Sequence, residues 1–261
     1  EGMYDAMCLG NHEFDLGLDA LTGILSGQIP GDSPVQLPIL CANIENLDAG
    51  HPLHQFVKPS LILQAGNIQA GLFGVVTTDP QHYSAEVNAV LTDPYAAAAE
   101  QAAYLQGQGC DVVICLSHLG FYPDMQGLST VPGIDIIIGG HTHTVLPQPQ
   151  LVNGKIIVQA GEFNRYLGEL KVDVSEEGIS LLDYNLHSVG NSLRPDPMLL
   201  NALAKLRQGI YLDPRFGPVY TRHIATAEWN LEEKWEEGSP NRDTALGNLR
   251  SEERRVGKEC V

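Results

Sequence analysis

Hydrophobic and polar positions along the chain follow two rhythms. Short apolar runs occupy residues 6–9, 37–44, 71–76, 111–116 and 134–138. Unbroken runs of this length are expected of strands covered on both faces. Between them lie segments with helical spacing. Leu18, Leu21 and Leu25 share one face of residues 16–25. The Ala-rich residues 94–106 follow Asp93 as N-cap, with Pro94 at the first helical position, a favourable helix start. Residues 196–208 also predict a helix. Residues 155–159, 167–174 and 179–186 alternate more and lie close together. With Asn153-Gly154 and Glu177-Gly178 as turns, they predict antiparallel strands.

Alternating strands and helices followed by a β-rich stretch are satisfied by two packed sheets with helices outside. From residue 214 to 241 the chain turns polar, with Trp229, Trp235 and a Glu-rich run, and reads as a linker toward a second domain. Residues 250–260, RSEERRVGKEC, resemble the in-frame translation of a sequencing-library adapter and are set apart from the folding sequence.

Composition narrows the function classes. The chain has 261 residues, 43% of them hydrophobic, enough for one sizeable core or one large domain plus the start of a second. No apolar run is long enough for a membrane-spanning helix. Fifteen Lys and Arg stand against 32 Asp and Glu, a formal charge of −17. That balance disfavours polymeric nucleic acid as a partner. A small phosphate ester stays compatible, because a bound cation reverses the field locally. The cysteines Cys8, Cys41, Cys110, Cys115 and Cys260 form no CxxC pair and read as free thiols.

Metal-type ligands concentrate in three motifs, each just after an apolar strand. They are Gly10-Asn11-His12-Glu13-Phe14-Asp15, Ser117-His118, and Gly139-Gly140-His141-Thr142-His143. Four of the nine histidines fall in them. Loops at the carboxyl ends of strands are where α/β proteins build sites, and glycine lets the backbone approach a ligand closely. A lone histidine such as His118 is by itself more often a surface or satisfied residue than a ligand. His141 and His143, two apart in a loop, can face one ion or two. An Asn oxygen suits a hard or borderline divalent cation. His51, His54, His82, His187 and His223 read as surface or packed residues. Asp32, Asp48, Asp79 and Asp124 read as turn and cap carboxylates. No Lys follows Gly139-Gly140 at P-loop spacing, so that pair reads as a turn presenting the histidines.

In this order and spacing, the three motifs resemble the calcineurin-like metallophosphoesterase superfamily. YDAMCLGNHEFDLG, CANIE, GLFGVVTTD, DIIIGGHTH and QAGEFNRYLGEL resemble its 5′-nucleotidase branch, from Tyr4 to about Leu249. The resemblance implies an α/β fold, a four-layer α/β/β/α sandwich with two mixed sheets. It implies two divalent metal ions, with Zn, Mn, Fe and Co all compatible. Asn11, His118 and His141 would hold one and His143 the other. His12 would act on the transferred phosphoryl group, and Asp15 would orient and charge it. Glu13 and Phe14 would be structural. The implied substrate is a small phosphate monoester, most simply a nucleoside 5′-monophosphate, with cyclic nucleotides and nucleotide sugars as further candidates.

The resemblance also implies export to the periplasm or cell surface. It divides the chain into a catalytic domain at 1–213, a linker at 214–242, the opening of a C-terminal domain at 243–249 and the tail at 250–261. The family's Asp-x-His and Gly-Asp motifs, which supply further ligands including the bridging one, have no counterpart here, so little activity is expected of this chain by itself. Two other readings stay open. One is a thiosulfohydrolase-like relative with the same site. The other is a non-catalytic remnant of the fold, against which the retention of His12 and Asp15 argues.

Overall fold

A computed structural model describes residues 4–28, 34–45, 47–48, 50–175, 178–190 and 193–223. Asp32, the Glu177 turn position, Cys260, both tryptophans and the stretches at 243–249 and 250–261 lie outside the described residues. The chain divides into two compact units, Glu1–Leu193 and Arg194–Val261.

The first unit runs β1 (Met7–Cys8), α1 (Gly17–Leu25), β2 (Ile39–Leu40), β3 (Val57–Lys58), β4 (Ser60–Ala65), β5 (Ile68–Val76), α2 (Ala85–Val90), α3 (Pro94–Gly107), β6 (Val112–His118), α4 (Phe121–Gln126), β7 (Ile136–Gly139), β8 (Gln150–Val152), β9 (Lys155–Val158), β10 (Tyr166–Ser175) and β11 (Gly178–Ser188). The second contains α5 (Pro197–Leu212) and α6 (Gly217–Thr221). The mixed α/β class is the one the sequence predicts.

A six-stranded sheet, ordered β4-β5-β6-β7-β9-β8, is the main framework. Its four inner strands are parallel, and β4 and β8 are antiparallel additions at the edges. Three of the inner strands, β5, β6 and β7, fall on apolar runs, as continuous burial requires. On one face, Phe73, Val75, Val113, Cys115, Ile137 and Ile157 meet Ala97, Ala98, Ala102 and Leu105 of α3. Alanines let that helix lie close. A Cβ on Gly71 would stand 3.0 Å from the Leu105 side chain. Asp93 caps α3 by accepting from Tyr95 N–H at 2.9 Å, as the sequence predicts. Burying a side chain such as Phe73, which is wholly enclosed, contributes about 1.5–3 kcal/mol.

The other face of the sheet, through Val112, Ile136, Ile156 and Val158, meets Leu170, Val172, Val174, Ile179 and Tyr184 of the β10–β11 hairpin. The outward face of that hairpin carries Glu169, Lys171 and His187 in ion pairs. A third, parallel group, β1-β2-β3, joins α1 and α2 in a separate cluster around Leu9, Phe14, Leu21, Cys41 and Val76. β2 comes so near β5 that a Cβ on Gly74 would meet the Leu40 carbonyl oxygen at 2.5 Å.

The sequence reading has no counterpart for β3, α2 and α4, and α6 lies within the stretch read as a linker. Two further differences concern the main sheet. The strand over 155–159 is not part of a wholly antiparallel run: β9 is antiparallel to β8 but parallel to β7. The Asn153-Gly154 hairpin is present, with both residues at positive φ as its turn requires. β4 has no counterpart among the strands the sequence predicts, because its residues alternate only weakly.

Candidate metal centre

The parallel strands deliver the three motifs to one end of the sheet. β6 ends on His118, paired with Val76 at the end of β5. β7 ends on Gly139, paired with Ser117. β1 leads through Leu9 and Gly10 into Asn11, which is 4% exposed. Asn11 Oδ1 lies 3.0 Å from His118 Nε2 and 3.2 Å from His141 Nδ1. The two rings stand 5.1 Å apart, centre to centre. Residues 107 and 130 positions from Asn11 therefore meet at its carboxamide oxygen.

Glycine makes this approach feasible. A Cβ on Gly10 would lie 2.7 Å from the His118 ring, and one on Gly140 would lie 3.1 Å from His118 Nδ1. Gly10 N–H donates to Glu13 Oε2 at 2.6 Å, which fixes the turn and gives Glu13 a structural contact. Phe14 is buried, edge-on to Tyr83 at 5.8 Å. His141 and His143 both have left-handed backbone, φ 67° and 56°. Such conformations are uncommon outside glycine and gather where function holds them.

The electrostatics suit a cation. Burial lowers the pKa of His118 to about 4, and the neighbouring His141, His12 and His143 add to the effect. Burial also lowers that of His141, with His82 and His143 next in weight. Both rings are thus neutral at ordinary pH, the state in which imidazole binds a metal. The donor set of two neutral nitrogens and a carboxamide oxygen fits a borderline divalent cation. Among the described residues, however, no group of three or more His, Cys, Asp or Glu is placed to hold a metal ion.

His143 stands apart from the Asn11 contacts. Its Nδ1 pairs with Glu162 Oε2 at 2.7 Å, leaving Nε2 unengaged by that bond. A carboxylate behind a histidine in this way fixes the ring's orientation. His12 follows Asn11 in an exposed 3-10 turn, and its Nδ1 lies 2.9 Å from Asp15 Oδ2.

Three neighbours of these residues carry no signal in the sequence. His82, by sequence a surface or packed residue, stands edge-on to His141 at 5.2 Å. Glu162 backs His143. Asp124, by sequence a turn or cap carboxylate, is instead wholly buried on α4 and accepts from Ser117 Oγ at 2.5 Å. Asp79, by contrast, does cap a turn, accepting from Gln81 N–H.

No protein-family model matches the chain. A 5′-nucleotidase of Diplobatis ommata is 30% identical over 267 residues, covering 94% of this chain and 44% of the relative. The chain belongs to the 5′-nucleotidase family of metallophosphoesterases. The crystal structure of a 5′-nucleotidase precursor from Thermus thermophilus superposes with a TM-score of 0.68 at 25% identity, over 80% of this chain and 44% of that one. A sulfate thiohydrolase from Thermus thermophilus has the same fold, with a TM-score of 0.65 at 23% identity, over 79% of this chain and 37% of that one. The chain thus spans less than half the length of these members of the 5′-nucleotidase fold family.

Proposed function

We propose that this chain supplies part of a two-metal centre that hydrolyses phosphate monoesters, most simply nucleoside 5′-monophosphates. The observation that carries the reading is the meeting of Asn11, His118 and His141 from three separate strand ends. Asn11, His118 and His141 would hold one divalent cation, and His143, steadied by Glu162, would be a ligand of the second. Bound cations would supply the positive charge that draws in phosphate oxygens and lowers the barrier to in-line displacement. The substrate chemistry rests on relatives named 5′-nucleotidase.

His12 and Asp15 would carry the protein's own chemistry. With Nδ1–H donated to Asp15, the opposite nitrogen of His12 is left to donate to a phosphoryl or leaving oxygen. The carboxylate holds the ring's direction and would stabilise positive charge on it. Metals remain interchangeable among Zn, Mn, Fe and Co on this donor set, and further anionic ligands would come from outside the described residues. No helix among the described residues is long and apolar enough to cross a membrane. The proposed setting is the periplasm or cell surface.

The test uses the product of the complete gene. Supplied with Mn, Zn or Co, it should release phosphate from a nucleoside 5′-monophosphate. His12→Ala should lower kcat by roughly a hundredfold or more while bound metal, read by elemental analysis, stays at the parent level. Unchanged turnover in the variant would remove His12 from the mechanism. Release only from a thiosulfate ester would move the substrate to that class.

A further inference from the structure

The ends of β6, β7 and β9 form a row on the face covered by α3 and α4. Ser117 pairs with Gly139, and Ile138 pairs with Val158, so Gln159 is next in register beyond Gly139. The middle member has no side chain. Asp124 occupies the space above it: a Cβ on Gly139 would lie 2.7 Å from Asp124 Oδ2 and 3.4 Å from Gln159 Oε1. The two oxygens are therefore no more than about 6 Å apart.

Both are buried acceptors without a donor among the described residues. Asp124 is 0% exposed and Gln159 2%. Asp124 Oδ1 accepts from Ser117 Oγ, while Oδ2 has no partner. Gln159 Nε2 donates to Gly140 O at 2.9 Å and to Thr142 Oγ1 at 3.5 Å, while Oε1 has none. Turning the amide over would give Asp124 a donor but set Oε1 against the Gly140 carbonyl oxygen. A buried acceptor left unpaired costs about 1–3 kcal/mol. One proton on Asp124 Oδ2, directed at Gln159 Oε1, would satisfy both.

We propose that Asp124 and Gln159 are paired positioning residues that brace the His118 turn against the His141 turn, with the neutral carboxyl of Asp124 as donor. Ser117 precedes His118, and its Oγ also accepts from Leu119 N–H at 3.2 Å. Gly140 precedes His141, and Thr142 accepts from Phe121 N–H at the start of α4. The pair thus joins the supports of two histidines that arrive on different strands. Burial pushes the Asp124 carboxyl up to about 7, the Ser117 bond opposing this only in part. The titratable groups facing it are Tyr95 from α3 and Cys115 from β6, and neither offers it positive charge. The brace rests on the proposed metal centre only for its consequence, since the bonds of Asp124 with Ser117 and of Gln159 with Gly140 are present without a metal.

The experiment is therefore done on this chain in metal-free buffer. At pH 6, where ordinary carboxylates are ionised, infrared difference spectra between the parent and Asp124→Asn should contain a neutral carboxylic-acid band from the parent. Asparagine keeps the acceptor for Ser117 and places an N–H₂ toward Gln159. The His118 and His141 ring signals in NMR should then overlay those of the parent. Gln159→Leu should displace both sets of signals, and adding Asp124→Leu should displace them little further. Absence of the acid band overturns the proposal. So do ring signals that move in Asp124→Asn, or that stay in place in Gln159→Leu. If the leucine variants do not fold, the band and the Asp124→Asn overlay decide by themselves. None of these readouts depends on whether the histidines bind metal, so failure here is separable from failure of the phosphoesterase reading.

Discussion

Cation binding at His118 would require a neutral ring, and its surroundings secure that state in the chain alone. Burial holds its folded-state pKa near 4, below the ordinary 6.5 of histidine. The unfolded chain consequently takes up this proton first as the solution is acidified. The stability tied to the neutral ring is intact above pH 6.5 and is lost as the pH falls toward 4. His118→Gln should therefore flatten the decline of the melting temperature over that interval in metal-free protein. A decline as steep as the parent's would show that the ring's burial is not coupled to folding. At this scale the sequence is partly legible. Asn11, His12, His118, His141 and His143 stand out because glycine and strand ends frame them. His82, Glu162 and Asp124 do not, because each acts across a distance in the chain: Glu162 is nineteen residues from the ring it holds, and Asp124 meets Ser117 from another element. A carboxylate's burial is set by tertiary packing, which single-residue patterns do not carry.

At the scale of elements, the turn from Gly139 to His143 trades stability for placement. Two non-glycine residues in left-handed backbone are unfavourable by roughly 1–2 kcal/mol each. The His143 side chain is 59% exposed, so its removal sacrifices little packing. His143→Gly should raise the stability of the metal-free chain by up to about 1 kcal/mol, measured by urea unfolding, while any metal affinity that uses His143 falls. A variant less stable than the parent would mean that the Glu162 pair outweighs the backbone strain. Apolar runs mark the inner strands β5, β6 and β7, and Asp93-Pro94 marks the start of α3, since those signals are local. The parallel pairing of β7 with β9, and the antiparallel β4 at the sheet's edge, are not legible. Hydrophobic rhythm marks a strand's covered faces but carries no information about its neighbour's direction.

For the molecule as a whole, every candidate site residue and all three core clusters lie within Glu1–Leu193. α5, in the other unit, has no buried residue. A piece ending at Leu193 should then unfold in a single cooperative transition, tracked by circular dichroism, with the His118 and His141 ring signals unchanged from the full chain. A broad, non-cooperative melt would mean that the first unit depends on residues beyond Leu193 for its folding. Gly139 has a consequence that reaches beyond one molecule. The space where its side chain would be is the space that the Asp124 carboxyl fills, so the two positions are not free to diversify separately. A lineage that acquires a side chain at the first must shorten or lose the acid at the second, and the pair should be inherited as a unit.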